Sequence, residues 1–354
     1  MTKFLVGFPR MKGLILFLLT GLSFCSTGFS LLAQPKSPQP PKSSNRPDPA
    51  KTESDLVLFG RGLYPGDDAA FDLIRHSGFT TLMLSSFYIK ANGDVYSGDD
   101  GRQPIIHQGV YTGNEDWLRR VQSLKKQPGS VRRIEILLEG RWYNQAPNTY
   151  DFIQDWIDSG KVAPGVVAGT LPGSTLHTII RILKDKIGAD AICIDDESVY
   201  DSPSIIELGK MVHGLGMHMT LCPYTKIPFW KGILDSSPAN VVDAIYLQCY
   251  DGGKDNTLAP WIQGMGSSVP VYPIFLCRGA FSTCGASHNS MTPDEIKRQM
   301  QAFRKDNPEL HGGGLWQIAD VKDYIRLNCA VQDPASGNAT SVPQYLDQLR
   351  QSLE

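Results

Sequence analysis

The sequence predicts an α/β fold, a single closed (β/α)8 barrel (TIM barrel), and three observations carry that expectation. Eight short apolar segments recur along the chain: Leu56–Gly60, Thr81–Ser85, Ile134–Leu138, Ala191–Asp195, His218–Leu221, Ala244–Gln248, Val271–Phe275 and Gly314–Gln317. Helix-length stretches separate them, and repeated strand–helix units imply a parallel sheet. No glycine-rich dinucleotide loop follows any of the eight, which disfavours a doubly wound open sheet.

The intervening stretches carry helix signals in order. Leu176, Ile179, Ile180, Leu183 and Ile187 lie on one helical face, with Gly188 placed to end the helix. Ser202-Pro203 reads as a cap and first-turn proline, and Gly214 as the closing residue. Thr292-Pro293-Asp294-Glu295 has the form of a capping box, followed by Ile296, Met300 and Phe303 on one face.

Outside the barrel, residues 1–33 read as an export signal. Lys3, Arg10 and Lys12 precede an apolar run that opens at Leu14–Leu19, and Ala33 offers a small residue for cleavage. Thr20, Gly21, Ser23 and Ser26 interrupt that run, which favours cleavage over a retained anchor. Phe24 argues against lipidation at Cys25. Residues 34–53, rich in Pro, Ser and Lys, read as an extended linker. The barrel is then expected over residues 54–330, and residues 331–354 form a C-terminal extension with one short amphipathic helix from Val342 to Leu353. The expected location is extracellular or periplasmic, with no lasting membrane insertion. Asn338-Ala339-Thr340 is a glycosylation sequon, relevant only in a eukaryotic secretory pathway.

Composition narrows the function classes. Of 354 residues, 41% are hydrophobic, enough for a large core. The first 33 residues hold three basic side chains and no acidic one, so the remainder carries a formal charge of about −5. No basic stripe remains to attract nucleic acid. There is no CxxC and no HExxH, and the histidines are scattered, so no metal site is expected. Export permits disulfides among Cys193, Cys222, Cys249, Cys277, Cys284 and Cys329. Cys277 and Cys284 flank a short polar loop and form the expected pair.

The strongest chemical signal is Asp190-Ala-Ile-Cys-Ile-Asp195-Asp196-Glu197. Alternate side chains of a strand share a face, so Cys193, Asp195 and Glu197 are expected to point together into the barrel mouth. Two carboxylates so placed do not both ionise freely, and a carboxyl with a raised pKa is a good general acid.

This segment resembles the fourth-strand DGxDxDxE motif of family 18 glycoside hydrolases, the chitinases and endo-β-N-acetylglucosaminidases. Asp190 matches the first Asp, Asp195 the last, and Glu197 the acid. Ala191 stands for the Gly and Cys193 for the middle Asp. Ile245-Tyr-Leu-Gln248-Cys-Tyr250-Asp251 resembles the family's sixth strand, and Gly312-Gly-Gly-Leu-Trp316 its eighth. The third-strand SxGG is replaced by Leu138-Glu139-Gly140.

The resemblance implies a secreted glycosidase acting on β-1,4-linked N-acetylglucosamine, with no cofactor. It implies Glu197 as acid and then base, and Asp195 and Tyr250 as groups that orient the substrate's acetamido group. Trp316 would form the floor under a sugar, and Gln248, Asp251 and Asp190 would contact substrate. Cys193 and the missing SxGG keep a second reading open: a non-catalytic or weakly active chitinase-like glycan-binding protein. With a neutral Cys193, Asp195 is expected to ionise more readily than in the family.

Overall fold

The computed structural model describes residues 54–140, 148–266, 269–332 and 339–354. The expected signal (1–33) and linker (34–53) lie outside the described residues, as does Asn338 of the sequon.

Eight parallel strands form the barrel: β1 (Asp55–Phe59), β2 (Thr81–Ile89), β3 (Arg133–Glu139), β4 (Ala191–Asp195), β5 (His218–Leu221), β6 (Val242–Gln248), β7 (Val271–Leu276) and β8 (Gly312–Trp316). Each pairs with the next, and β1 pairs with both β2 and β8, which closes the sheet. Helices follow every strand, as the repeated units require. The strands are mostly apolar because both faces are covered, by the filled interior inside and by helices outside. β4 and β7 are buried along their whole length. Glycines in β8 allow close strand approach: a Cβ at Gly314 would sit 2.8 Å from the Val57 carbonyl oxygen. β2 overruns its expected end by four residues because Phe87–Ile89 pair antiparallel with the short strand Val95–Ser97 of a small insertion.

Helix ends follow the expected chemistry with two shifts. Thr292 and Glu295 form the capping box of the helix Pro293–Asp306. The face Leu176–Ile187 is helical and buried, its last turn widening to a π-turn before left-handed Gly188. At Ser202–Gly214 the cap is Asp201, whose carboxylate accepts from the Ser204 N–H, and Ser202 is the first helical residue. Gly214 is the last helical residue there, and Gly216 takes the left-handed turn instead.

The barrel interior is not wholly apolar. Glu135 of β3 is fully buried. It accepts hydrogen bonds from Thr220 Oγ1 and Tyr246 Oη, both at 2.7 Å, and pairs with Arg133, which in turn grips Asp243.

The expected Cys277–Cys284 disulfide does not form. Cys284 bonds Cys329, with Cα atoms 5.2 Å apart, while Cys277 is a buried free thiol at the end of β7. Chain proximity favoured the wrong partner, because Cys277 is fixed in the core and the loop carrying Cys284 folds towards the segment after β8. The helix Val342–Leu353 packs onto the barrel's last helices. Its Tyr345 hydroxyl donates to the Met291 carbonyl (2.7 Å) and accepts from the Arg278 N–H (2.9 Å). Among the described residues no helix is long and apolar enough to cross a membrane.

Candidate active site

The C-terminal ends of the strands open into a cleft of about 590 Å³. β4 delivers Asp195 and, two residues on, Glu197; β6 delivers Gln248 and the following Tyr250 and Asp251; β8 delivers Trp316. Six of the seven candidate site residues thus meet in one cleft. Gln248 joins the two carboxylates: its Nε2 lies 3.1 Å from Asp195 Oδ1 and 3.1 Å from Glu197 Oε1. The same nitrogen lies 3.0 Å from the Cys222 carbonyl oxygen, so its two hydrogens serve three acceptors. Its amide nitrogen is therefore committed to protein groups and not to substrate. The rings of Tyr250 and Trp316 lie 6.1 Å apart, tilted by 30°, and Phe59 supports Trp316 from below at 4.9 Å.

Asp190 is the exception. It lies five residues before Asp195, at the opposite end of β4. There it binds Lys125 Nζ through both oxygens (2.9 Å) and accepts from the Ile134 N–H. Even and odd positions of a strand face opposite ways, so Asp190 could not join Asp195. It ties β4 to β3 and to a neighbouring helix, and it does not contact the cleft.

Burial raises the Asp195 carboxyl well above the carboxylate range, and the charges of Glu197 and Glu139 push the same way. Asp195 is thus held protonated more firmly than a free side chain. Glu139 lies in register with Asp195 on the adjacent strand and lines the cleft. Glu197 opens onto the cleft. Its pKa is also raised, first by loss of surrounding water, with the Gln248 hydrogen bond opposing and Glu139 and Asp251 adding. Burial raises Tyr250 well above a free phenol, so it stays a neutral donor. Asp196 faces away and accepts from the Ser198, Val199 and Tyr200 N–H groups, which shapes the turn that presents Glu197.

Beneath the carboxylates, Cys193 and Cys222 form a buried thiol pair on adjacent strands. Their mutual hydrogen bond is the main cause raising Cys222. Sequence reasoning missed Glu139, Tyr224, Phe281 and His288 as cleft residues. Glu139 had a signal, a charge ending an apolar strand. The other three sit on loops, where periodicity says nothing. Among the described residues no cluster of three or more His, Cys, Asp or Glu is arranged to hold a metal ion.

Two solved structures share this architecture. The catalytic domain of a hyperthermophilic chitinase from Pyrococcus furiosus superposes with a TM-score of 0.54 at 9% identity, covering 85% of this chain and 95% of its own. A family 18 chitinase from the chitin utilization locus of Flavobacterium johnsoniae gives 0.52 at 13% identity, covering 85% and 94%. The fold is that of family 18 chitinases. No family profile matches the sequence, and no curated protein matches it. The likeness is one of fold, and the cleft occupies the end of the barrel where this fold gathers its active-site loops.

Proposed function

We propose that this chain is an exported glycoside hydrolase that cleaves β-1,4-linked N-acetylglucosamine chains with retention of configuration, assisted by the substrate's own acetamido group. The observation that carries the reading is the Gln248 amide spanning Asp195 and Glu197 beside the Tyr250–Trp316 floor. It supplies a protonated acid, a buried carboxyl and an aromatic surface within one sugar's reach.

Glu197, with its raised pKa, donates its proton to the glycosidic oxygen as the bond to the anomeric carbon breaks. The acetamido carbonyl oxygen attacks that carbon, forming a cyclic oxazolinium and replacing an enzyme nucleophile. Asp195, through its carbonyl oxygen, accepts from the acetamido N–H, and the neutral Tyr250 hydroxyl donates to the acetamido oxygen, so the two hold the group in position for attack. The Glu197 carboxylate then takes a proton from water as the water oxygen bonds the anomeric carbon. The ring opens, the acetamido group is restored, and Glu197 regains its proton.

The test compares wild type with Glu197→Gln on chitooligosaccharides and on high-mannose N-glycopeptide. The amide keeps the shape of the acid and cannot protonate the leaving oxygen, so turnover should vanish while binding persists. If both proteins bind chitooligosaccharides equally and neither releases product over a broad pH range, the chain is a glycan-binding barrel. Cys193, in place of a motif carboxylate, is the residue that favours that outcome. If neither binds any N-acetylglucosamine polymer, the substrate assignment fails.

A further inference from the structure

We propose that Glu139 of β3 is a positioning residue for Asp195: it is the carboxylate partner that β4 lacks at Cys193, and the Asp195–Glu139 pair holds one proton between its two carboxyl groups. The pairing rests on the glycosidase reading of the cleft and deepens it, because it decides which oxygen of Asp195 is left to meet the substrate.

Register places the partners. β3 and β4 run parallel, with Glu139 opposite Asp195 and Leu137 opposite Cys193. In-register side chains of neighbouring strands share a face and start about 5 Å apart. Glu139 and Asp195 both line the cleft, so the shared face is the barrel interior. One layer deeper the facing pair is Leu137 and Cys193, both fully buried and neither a carboxyl. The motif that this segment resembles carries its two aspartates along one strand, at the positions of Cys193 and Asp195. Here the second carboxyl comes from the side, on the strand where Leu138-Glu139-Gly140 replaces SxGG.

The hydrogen-bonding needs of the two groups are complementary. Glu139 Oε2 is shut from solvent and has no donor among the described residues. A buried acceptor is costly to leave unmet. Asp195 Oδ1 takes the Gln248 amide at 3.1 Å, so a proton on Asp195 belongs to Oδ2 and serves Glu139. Oδ1 then stays a carbonyl oxygen, the form that accepts from an acetamido N–H.

The other groups around Asp195 offer no substitute. The Tyr150 hydroxyl accepts from the Asp195 N–H and spends its own hydrogen on the Leu138 carbonyl. Cys193, Asp196 and Glu197 lie on the same strand and turn, Cys222 ends β5, Tyr250 follows β6, and Tyr88 of β2 lies beside Glu139. Among the described residues that line the cleft there is no Lys or Arg. Two carboxyls on such a face do not both ionise. Burial is the first cause raising Asp195, followed by Glu197 and then Glu139. Once Glu197 holds the proton with which the reaction begins, its charge is gone, and that of Glu139 remains.

Carbon-13 NMR titration of labelled aspartate carboxyls in the full chain tests the pairing without substrate. It compares wild type with Glu139→Gln and Glu139→Asp, and Asp195→Asn assigns the signal. Glutamine removes a negative charge and offers an N–H. Both changes favour ionised Asp195, so its midpoint should fall by about one unit or more. Glu139→Asp keeps a carboxyl and should recover at least about half of that fall. A residue that only packs would lower thermal stability and leave the Asp195 midpoint where it was. A midpoint unmoved in Glu139→Gln overturns the pairing, whatever the turnover, and so does a fall that Glu139→Asp reproduces in full. If the midpoint falls and Glu139→Asp recovers it, yet wild type releases no product from chitohexaose, the pairing stands and the glycan reading fails.

Discussion

Replacing Gln248 with Met keeps the length and removes both N–H donors, so it isolates what the amide does between Asp195 and Glu197. A hydrogen bond to an ionised carboxylate contributes about 1.5–3 kcal/mol. Two hydrogens are shared among three acceptors at 3.0–3.1 Å, and Glu197 opens onto solvent, so the lower end applies and is reduced further by screening. At about 1.4 kcal/mol per pKa unit, the Glu197 pKa should rise by roughly half to one unit. The sign follows from charge: the donors favour the ionised form, and losing them favours the protonated acid. Because Glu197 must enter the reaction protonated, the alkaline limb of kcat/KM should move up by the same amount, while kcat falls as the pair loses its spacer. Carbon-13 NMR titration of labelled carboxyls reads the shift without turnover. A Glu197 titration that stays put, or moves down, would refute the bridging role assigned to Gln248.

Three further outcomes are expected. Asp320 is buried with its pKa pushed up to about 7, mainly by desolvation, from 3.8 for a free side chain. Between those values the folded state binds the proton more tightly, so stability is full at low pH and declines by up to about 4 kcal/mol as pH rises through 7. Asp320→Asn should flatten that slope in urea denaturation at pH 4.5 and 8. Glu135→Ala leaves the hydroxyls of Thr220 and Tyr246 without their acceptor inside the barrel, while Arg133 keeps Asp243, and denaturant midpoints should show a loss of about 2–4 kcal/mol; a loss below 1 kcal/mol would contradict a buried network. Cys284→Ser releases a bond spanning 45 residues of chain. The closed-loop entropy puts its contribution near 4 kcal/mol, and thermal unfolding with and without reductant measures it.

The barrel was legible because each strand is a short, mostly apolar segment of the length a two-sided burial demands, and because capping residues such as Thr292 and Glu295 act within four positions. The core of the cleft was legible in two ways: Asp195 and Glu197 share strand parity, and Gln248, Tyr250 and Trp316 were reached through the resemblance of their segments to family 18 hydrolases. Parity, applied one step further, would also have excluded Asp190, which resemblance had drawn into the site. What could not be read is long-range. Cys284 pairs with Cys329 through the path of two loops, and Phe281 and His288 reach the cleft on a loop whose shape depends on Arg278, Asp323 and Asp251. Glu139 adds to the effect of burial and of Glu197 on Asp195 from a neighbouring strand, a relation set by register and invisible in a local motif.

Tyr345 gives the molecule a chronology. Its hydroxyl clasps Arg278 and Met291, at either end of the loop that carries Phe281 and His288. The residues that build the cleft floor are all translated by position 316, yet this clasp arrives only with the helix Val342–Leu353. Synthesis therefore reaches the last barrel strand before it reaches the residue that fastens this loop. The loop that borders the cleft is thus fastened by a segment that does not itself line it.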